Sequence, residues 1–104
     1  MRRTMSAAEF CCYAHEQDLC HFYYNTCNQQ LDDDVIGQDL YFHSVTSDPS
    51  VGLLSLCSEQ AKMRIQNVQS VTVDSSYTVL GDYIVIHAKS AVTGQDRRFV
   101  LVAR

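Results

Sequence analysis

Cysteine and histidine are concentrated in the first part of the chain, and they are the residue types here with the greatest chemical potential. The cluster comprises Cys11, Cys12, His15, Cys20, His21 and Cys27. A zinc ion would need four such ligands converging at about 2.0 to 2.3 Å, whereas residues seven apart on a helix sit about 10 Å from each other along its axis. On one helix, a close pair such as Cys11 and His15 could share an ion, but the remaining ligands must come from elsewhere. The spacing therefore favours thiols that line a core face, with a zinc-stapled module as an alternative.

The same thiols are poor candidates for nucleophilic catalysis. Cys12 or Cys20 would need a nearby histidine and a third group that orients it, and the sequence identifies no such group. A buried thiol without an electropositive neighbour is inert. The chain also contains no glycine-rich phosphate loop, no HExxH motif and no GxSxG motif. We therefore expect no enzymatic activity and no cofactor.

The composition is that of an ordinary globular domain. Of the 104 residues, 46% are apolar and 19% are charged, which predicts one domain over residues 1–104, with a helical segment at 1–31 and a β-meander at 38–104. No run approaches the ~18 apolar residues of a membrane span, and the segment behind Arg2 and Arg3 is too short for a signal peptide. These features predict a cytoplasmic protein without a membrane partner, whose cysteines are reduced.

The helical segment begins with a clear signal. Ser6 and Glu9 have the spacing of a capping box, in which each side chain binds the other residue's backbone amide, so a helix should start near Ala7. At about 100° per residue, apolar side chains then occupy one arc of a helical projection. We predict one amphipathic helix to about Asn28, followed by a solvated connection that contains the carboxylates at residues 32–34.

A break in this helix is the alternative. Asp18 could cap a second helix after a break near Gln17, and the aromatic run at residues 21–24 also has strand propensity. The two interpretations differ in which side chains are buried. A continuous helix turns Leu19 and Tyr23 toward the sheet, whereas a strand would bury alternate residues of the aromatic run.

The rest of the chain has the two-residue period of β-structure and is rich in β-branched residues. The phase of the alternation slips between Asn67 and Val71, which is typical of a β-bulge. Residues 75–82 are predicted to form a loop. The strand candidates are residues 39–45, 51–57, 62–74, 83–88 and 98–103.

These elements predict the α+β class. An N-terminal amphipathic helix should pack on a five-stranded antiparallel sheet that is strongly bent or closed into a small β-barrel. A helix followed by five antiparallel strands resembles the order of elements in the SH3-like and Sm-like small barrels. The likeness is one of architecture, and no functional residue is transferred through it.

Two groups of residues are candidates for surface binding. Lys62, Arg64, Arg97 and Arg98 would form a basic stripe for nucleic acid if the third and fifth predicted strands approach each other, with Tyr77, Tyr83 and His87 available for stacking. Alternate charges on a sheet more often form a solvated face. The net charge of −4 also disfavours a broad electrostatic hold on nucleic acid. Tyr77 and Tyr83 are then candidate interface aromatics.

The sequence therefore favours a small, non-enzymatic binding module that acts by protein–protein association. An adaptor is one form of it, and an inhibitor of the kind that phages and mobile elements encode is another. Six tyrosines and four phenylalanines in an acidic domain offer more aromatic surface than one core requires. A free sheet edge at residues 39–45 or 98–103 could pair with a second copy or with a partner's strand. A nucleic-acid-binding small barrel remains the alternative, as does the zinc-stapled module.

Overall fold

The computed structural model describes residues 2–25, 39–78 and 81–104. Within these ranges the chain forms one helix, α1 (Ala7–Glu16), and nine strands. The strands are β1 (Arg2–Met5), β2 (Phe22–Asn25), β3 (Asp39–Phe42), β4 (Ser44–Asp48), β5 (Leu53–Cys57), β6 (Lys62–Ile65), β7 (Val68–Thr78), β8 (Gly81–Lys89) and β9 (Asp96–Ala103). Cys27 and the carboxylates at residues 32–34 lie outside the described residues.

The strands form two antiparallel sheets. One has six strands in the order β1-β7-β8-β9-β2-β3, and the other has three in the order β4-β5-β6. The α+β class and the antiparallel pairing are therefore confirmed. The prediction of one five-stranded, strongly bent sheet or small barrel is wrong, because the strands divide between two sheets that do not close into a barrel.

Two short breaks explain this division. His43 separates β3 from β4, and its backbone N–H donates to the carbonyl oxygen of Cys57 at 2.8 Å, which directs the chain into the second sheet. Asn67 separates β6 from β7 and has a left-handed φ of 53°, a conformation that asparagine adopts more readily than most residues. The predicted strands at residues 39–45 and 62–74 are each split by one of these breaks.

The irregularity predicted after Asn67 is present, because the register between β7 and β8 shifts between Val68 and Ser70. The predicted loop at residues 75–82 is wrong at both ends. β7 continues to Thr78, and β8 already begins at Gly81. Both strands are therefore longer than their sequence pattern indicates.

The capping box at the start of α1 is confirmed. The Glu9 backbone N–H donates to Ser6 Oγ at 3.1 Å, and the Ser6 backbone N–H donates to Glu9 Oε1 at 3.4 Å. The helix buries Ala7, Phe10 and Ala14 against the sheets. Its packing face is thus one short stripe of three side chains.

The predicted continuation of this helix to Asn28 is wrong. α1 ends at Glu16, and Asp18 has a left-handed φ of 54° that no helix accommodates. A second helix capped by Asp18 is wrong as well, because the aromatic run forms β2. Phe22 and Tyr24 are each 1% exposed, whereas Leu19 is half-buried. The strand alternation therefore decides which aromatic residues enter the core.

Strand β1 has no counterpart among the predicted elements. It pairs with β7, with Met5 opposite Val71, and Met5 is its one buried residue. Four residues with a single buried side chain carry too little periodicity to predict a strand. This strand exists because of its long-range pairing with β7.

One hydrophobic core draws side chains from α1 and from both sheets. Because alternate residues of a strand point to opposite faces, the six-stranded sheet also has an outer face turned away from this core. The largest fully buried side chains are those of Phe10, Phe22, Tyr24, Phe42, Leu54, Leu56, Ile84, Ile86 and Leu101.

Candidate binding site on the outer face of the six-stranded sheet

A continuous row of side chains crosses all six strands on the outer face. Neighbouring strands lie about 4.8 Å apart, so each residue of the row is within reach of the next. Half of the row is tyrosine, a residue type that is enriched at protein interfaces. In spatial order, the strand registers place Arg2, Asp74, Tyr83, Val102, Tyr23 and Tyr41 in this row.

At the β3 end of the row the surface opens into a cleft of about 610 Å³, which we name the aromatic cleft. The Tyr23 and Tyr41 rings have centroids 5.4 Å apart, and the His21 and His43 rings meet edge to face at 5.8 Å. The cleft is lined by His21, Phe22, Tyr23, Tyr41, Phe42, His43, Val102 and Arg104. Its volume lies in the range of typical ligand-binding clefts.

Backbone hydrogen bonds position the histidine end of the aromatic cleft. His21 and Arg104 exchange both of their backbone hydrogen bonds, at 3.1 and 2.9 Å. The Cys20 backbone N–H also donates to the carbonyl oxygen of Arg104, at 2.8 Å. His43 Nδ1 lies 3.3 Å from the carbonyl oxygen of Cys20. These bonds hold β2, β9 and the β3–β4 junction together around the cleft.

The two tyrosines of the cleft are in different situations. The Tyr23 hydroxyl donates to Asp39 Oδ1 at 2.7 Å, and Asn25 Nδ2 donates to the same oxygen at 2.7 Å. These two hydrogen bonds lower the pKa of Asp39, and the bond to Asp39 raises the pKa of Tyr23. Tyr41, in contrast, is 60% exposed. Tyr23 is therefore held in place, and Tyr41 presents its ring to solvent beside it.

At Tyr41 the backbone N–H and C=O of β3 point sideways, away from the edge of the six-stranded sheet. Since the backbone groups of His21 point toward β9, alternation in an antiparallel ladder directs those of Phe22 toward its partner Phe42. The N–H and C=O of Tyr41 then point away from β2. On this side of the chain, the N–H of His43 is bound to the carbonyl oxygen of Cys57. Beside Tyr41 there is no further described strand, because β3 is the last strand in the order of the six-stranded sheet.

Arg104 gives the aromatic cleft a positive charge. Its lining also includes the imidazoles of His21 and His43, and among the described residues that line the cleft there is no carboxylate. This contrasts with the net charge of −4 for the whole chain. Rings, a guanidinium group and a strand edge that no described strand covers are features that bind a partner.

The predicted thiol cluster is dispersed. Cys11 is half-buried on α1, and its burial raises the pKa of its thiol. Cys12 and Cys20 are exposed. In the described ranges, no three side chains of histidine, cysteine, aspartate or glutamate are arranged to hold a metal ion.

The predicted basic stripe is divided between the two sheets. Lys62 and Arg64 lie on β6 opposite Cys57 and Ser55. The paired arginines of the prediction are on β9, whose neighbours are β8 and β2. The predicted stripe requires these basic residues to lie on neighbouring strands, but β6 and β9 are not paired with each other.

The predicted interface aromatics have different outcomes. Tyr83 is part of the outer row, next to Val102, whereas the side chain of Tyr77 lies outside the described residues. Tyr23 and Tyr41 are absent from the sequence-based candidates. The aromatic run that contains Tyr23 is the sequence signal for this pair, but the predicted helix separates it from β3.

No helix in the described ranges has the length and hydropathy that a membrane crossing requires. Comparison of the chain with known protein families, with characterised proteins and with solved structures found no match. The geometry of the outer face is therefore the basis for a functional assignment.

Proposed function

We propose that this protein is a non-enzymatic binding module that acts in the cytoplasm by protein–protein association, through the aromatic cleft. The observation that supports this most directly is the 60% exposed ring of Tyr41 on a terminal strand, packed against the anchored Tyr23. Interface energy is concentrated in tyrosine, tryptophan and arginine side chains near the centre of a contact. Tyr41 and Arg104 supply two such groups on one cleft.

The edge of β3, beside which the sheet order has no other described strand, supports an extended partner segment. An incoming strand would bind the N–H and C=O of Tyr41, while its side chains enter the cleft on one face. The edge is short, because His43 donates to Cys57 and closes it at that end. A short edge limits unspecific sheet extension, so recognition depends on the side chains as well as on the backbone.

The positive charge of Arg104 favours an acidic partner segment. A carboxylate beside Arg104 would form a charge-assisted hydrogen bond, and a planar guanidinium binds a carboxylate through two such bonds. An acidic segment would be repelled by much of this acidic chain and attracted to this cleft. An adaptor or an inhibitor with one defined docking site fits this arrangement.

Affinity capture with a matched control tests the proposal. The tagged wild-type chain, Tyr41→Ala and Val51→Ala would be used as baits in a lysate of the cells in which the protein is naturally made. The bound proteins would be identified by mass spectrometry. Val51 is a suitable control because its exposure of 59% is close to the 60% of Tyr41 and it lies outside the aromatic cleft. We expect one set of partners with wild type and Val51→Ala, and its loss with Tyr41→Ala.

The same partners recovered at equal yield with Tyr41→Ala would refute the assignment to the aromatic cleft. A wild-type bait that recruits nothing would refute association with another protein. Light scattering on the purified chain tests the remaining possibility, which is that the partner is a second copy of this chain. A dimer that Tyr41→Ala converts to monomer would identify self-association through this edge.

A further inference from the structure

A second groove lies on the outer face, toward the other end of β8 and β9 from the aromatic cleft. It has a volume of about 480 Å³. We name it the basic groove, and it is lined by Gln69, Ser70, His87, Ala88, Lys89, Asp96, Arg97 and Arg98. Its residues come from three adjacent strands, so the sheet itself fixes their spacing.

The strand registers arrange polar donors across the basic groove. Ser70 lies opposite His87, and His87 lies opposite Arg98. Neighbouring strands are about 4.8 Å apart, so this row brings a hydroxyl, an imidazole and a guanidinium group within reach of one small ligand. Lys89 is two residues beyond His87 and points to the same face. Four potential donors therefore lie on one patch of the outer face.

The charges of the basic groove are unbalanced. Three of the eight lysine and arginine residues of the chain line it, against the single carboxylate of Asp96 among its described lining residues. The Arg97 guanidinium lies 5.2 Å from the centroid of the ring of Phe99, a core residue, so Arg97 projects from the opposite face of β9 to Arg98. Lys89 and Arg98 remain on the outer face, with Asp96 opposite Lys89 in the strand register. Two cations against one carboxylate leave this end of the outer face with a net positive charge, which an anion would neutralise.

The backbone beside the groove is irregular as well. The register of β7 against β8 shifts between Val68 and Ser70, leaving Gln69 as an extra residue. Gln69 Nε2 donates to the carbonyl oxygen of Asn67 at 3.1 Å, and the Lys89 backbone N–H donates to the same oxygen at 3.1 Å. Bulges re-aim side chains and are frequent next to functional sites. This bulge sets the position from which Ser70 faces His87.

From these observations we infer that the basic groove binds a phosphate group. A tetrahedral phosphate accepts several hydrogen bonds, and arginine, lysine and hydroxyl side chains are its usual protein donors. The phosphate belongs either to a free nucleotide or to a nucleic-acid strand. This inference is independent of the proposed protein association, because no residue lines both the basic groove and the aromatic cleft.

Nuclear magnetic resonance titration of the full chain tests this inference. Pyrophosphate, ATP and a short oligothymidylate would be added separately to isotope-labelled protein at low salt. We expect saturable shifts of the Ser70, His87 and Arg98 amides. Arg98→Gln should weaken binding about tenfold, as loss of one charge-assisted hydrogen bond predicts.

Arg64→Gln is the matched control, because Arg64 is also an exposed strand arginine but lies on β6 in the other sheet. It should bind as the wild type does. Equal binding of pyrophosphate and ATP would assign the groove to small phosphates. Binding confined to the oligonucleotide, with a steep loss as salt rises, would assign it to nucleic acid. Absence of binding by all three probes, or equal weakening by Arg64→Gln and Arg98→Gln, would overturn the inference.

Discussion

The hydroxyl group of Tyr24 gives the sharpest prediction about stability. Tyr24 is 1% exposed, and its hydroxyl has no hydrogen-bond partner in the part of the chain that the structure describes. Burial raises the pKa of Tyr24 to about 12, with the charge of Arg97 acting in the opposite direction, so the hydroxyl is neutral. A buried hydroxyl without a partner destabilises a protein by about 1 to 3 kcal/mol.

Tyr24→Phe removes this hydroxyl and keeps the ring. The ring packs near Phe99, with centroids 6.3 Å apart, and the substitution leaves that contact intact. We expect the free energy of unfolding to rise by about 1 to 2 kcal/mol. In a domain of about 100 residues, each kcal/mol raises Tm by roughly 4 to 8 °C.

Tyr13→Phe is the control with the opposite sign. The Tyr13 hydroxyl donates to Asp82 Oδ2 at 2.6 Å, so its removal should lower stability by about 0.5 to 1.5 kcal/mol. Both variants would be unfolded in urea and followed by far-ultraviolet circular dichroism, with equal m values as the test of comparable transitions. A loss of stability in Tyr24→Phe would show that the hydroxyl has a partner and would refute the reasoning.

Three further predictions concern β2, alkaline pH and one glycine. Phe22→Ala should lower the free energy of unfolding by about 3 to 5 kcal/mol, and Leu19→Ala should lower it by less, because Leu19 is only half-buried. Both losses would be measured by unfolding in urea. A larger loss for Leu19→Ala than for Phe22→Ala would contradict the assignment of β2. Burial and the hydrogen bond to Asp82 raise the pKa of Tyr13 from 10.0 to about 12. The folded state therefore retains this proton, and thermal stability should fall as pH rises from about 10 to 12, but less in Tyr13→Phe. At Gly81, with φ of +149°, a Cβ would overlap the Ala103 carbonyl, so Gly81→Ala should lower Tm. Gly94→Ala should lower Tm less, because Gly94 shares the strain of a positive φ, +70°, but its Cβ would meet no atom within 4 Å.

The features that depend on residues close together in the sequence were predicted correctly. The capping box of Ser6 and Glu9 marks the true start of α1, and the two-residue period marks most strands. The end of α1 is a different case, because the aromatic run has an apolar arc in a helical projection and an apolar face as a strand. Pairing with β9 and β3 decides between them. That information lies far away in the sequence.

The division into two sheets was also beyond local reasoning. A break of one residue at His43 or Asn67 looks like a phase slip in a pattern of alternation. Whether the chain continues in the same sheet depends on the hydrogen bond from His43 to Cys57, which joins residues from separate predicted strands. From residue 39 onward the sequence indicated the strands in roughly the right places, and the long-range bonds assigned them to sheets; β1 and β2 were not predicted as strands.

The candidate site shows the same limit. Tyr83 could be selected from its aromatic type, and it does lie on the outer row. The pair of Tyr23 and Tyr41 becomes visible with the register of β2 against β3. Charge alone predicts one group of four basic residues, whereas the structure divides them between β6 and β9, which lie in different sheets.

The position of β9 has a consequence for how the protein is made. β9 lies between β8 and β2 in the six-stranded sheet. During synthesis β2 emerges before its partner β9, and residues 26–95 are made between them. Pairings between residues so distant in sequence form slowly, because a long loop must close first.

During this interval the nascent chain exposes Phe22 and Tyr24, together with the unpaired edges of β2 and β8. Such surfaces are recognised by chaperones and promote aggregation when they persist. A fragment that stops before Asp96 leaves both edges without their partner. When it is expressed, we expect that fragment in inclusion bodies or bound to a chaperone, while the full chain is recovered folded.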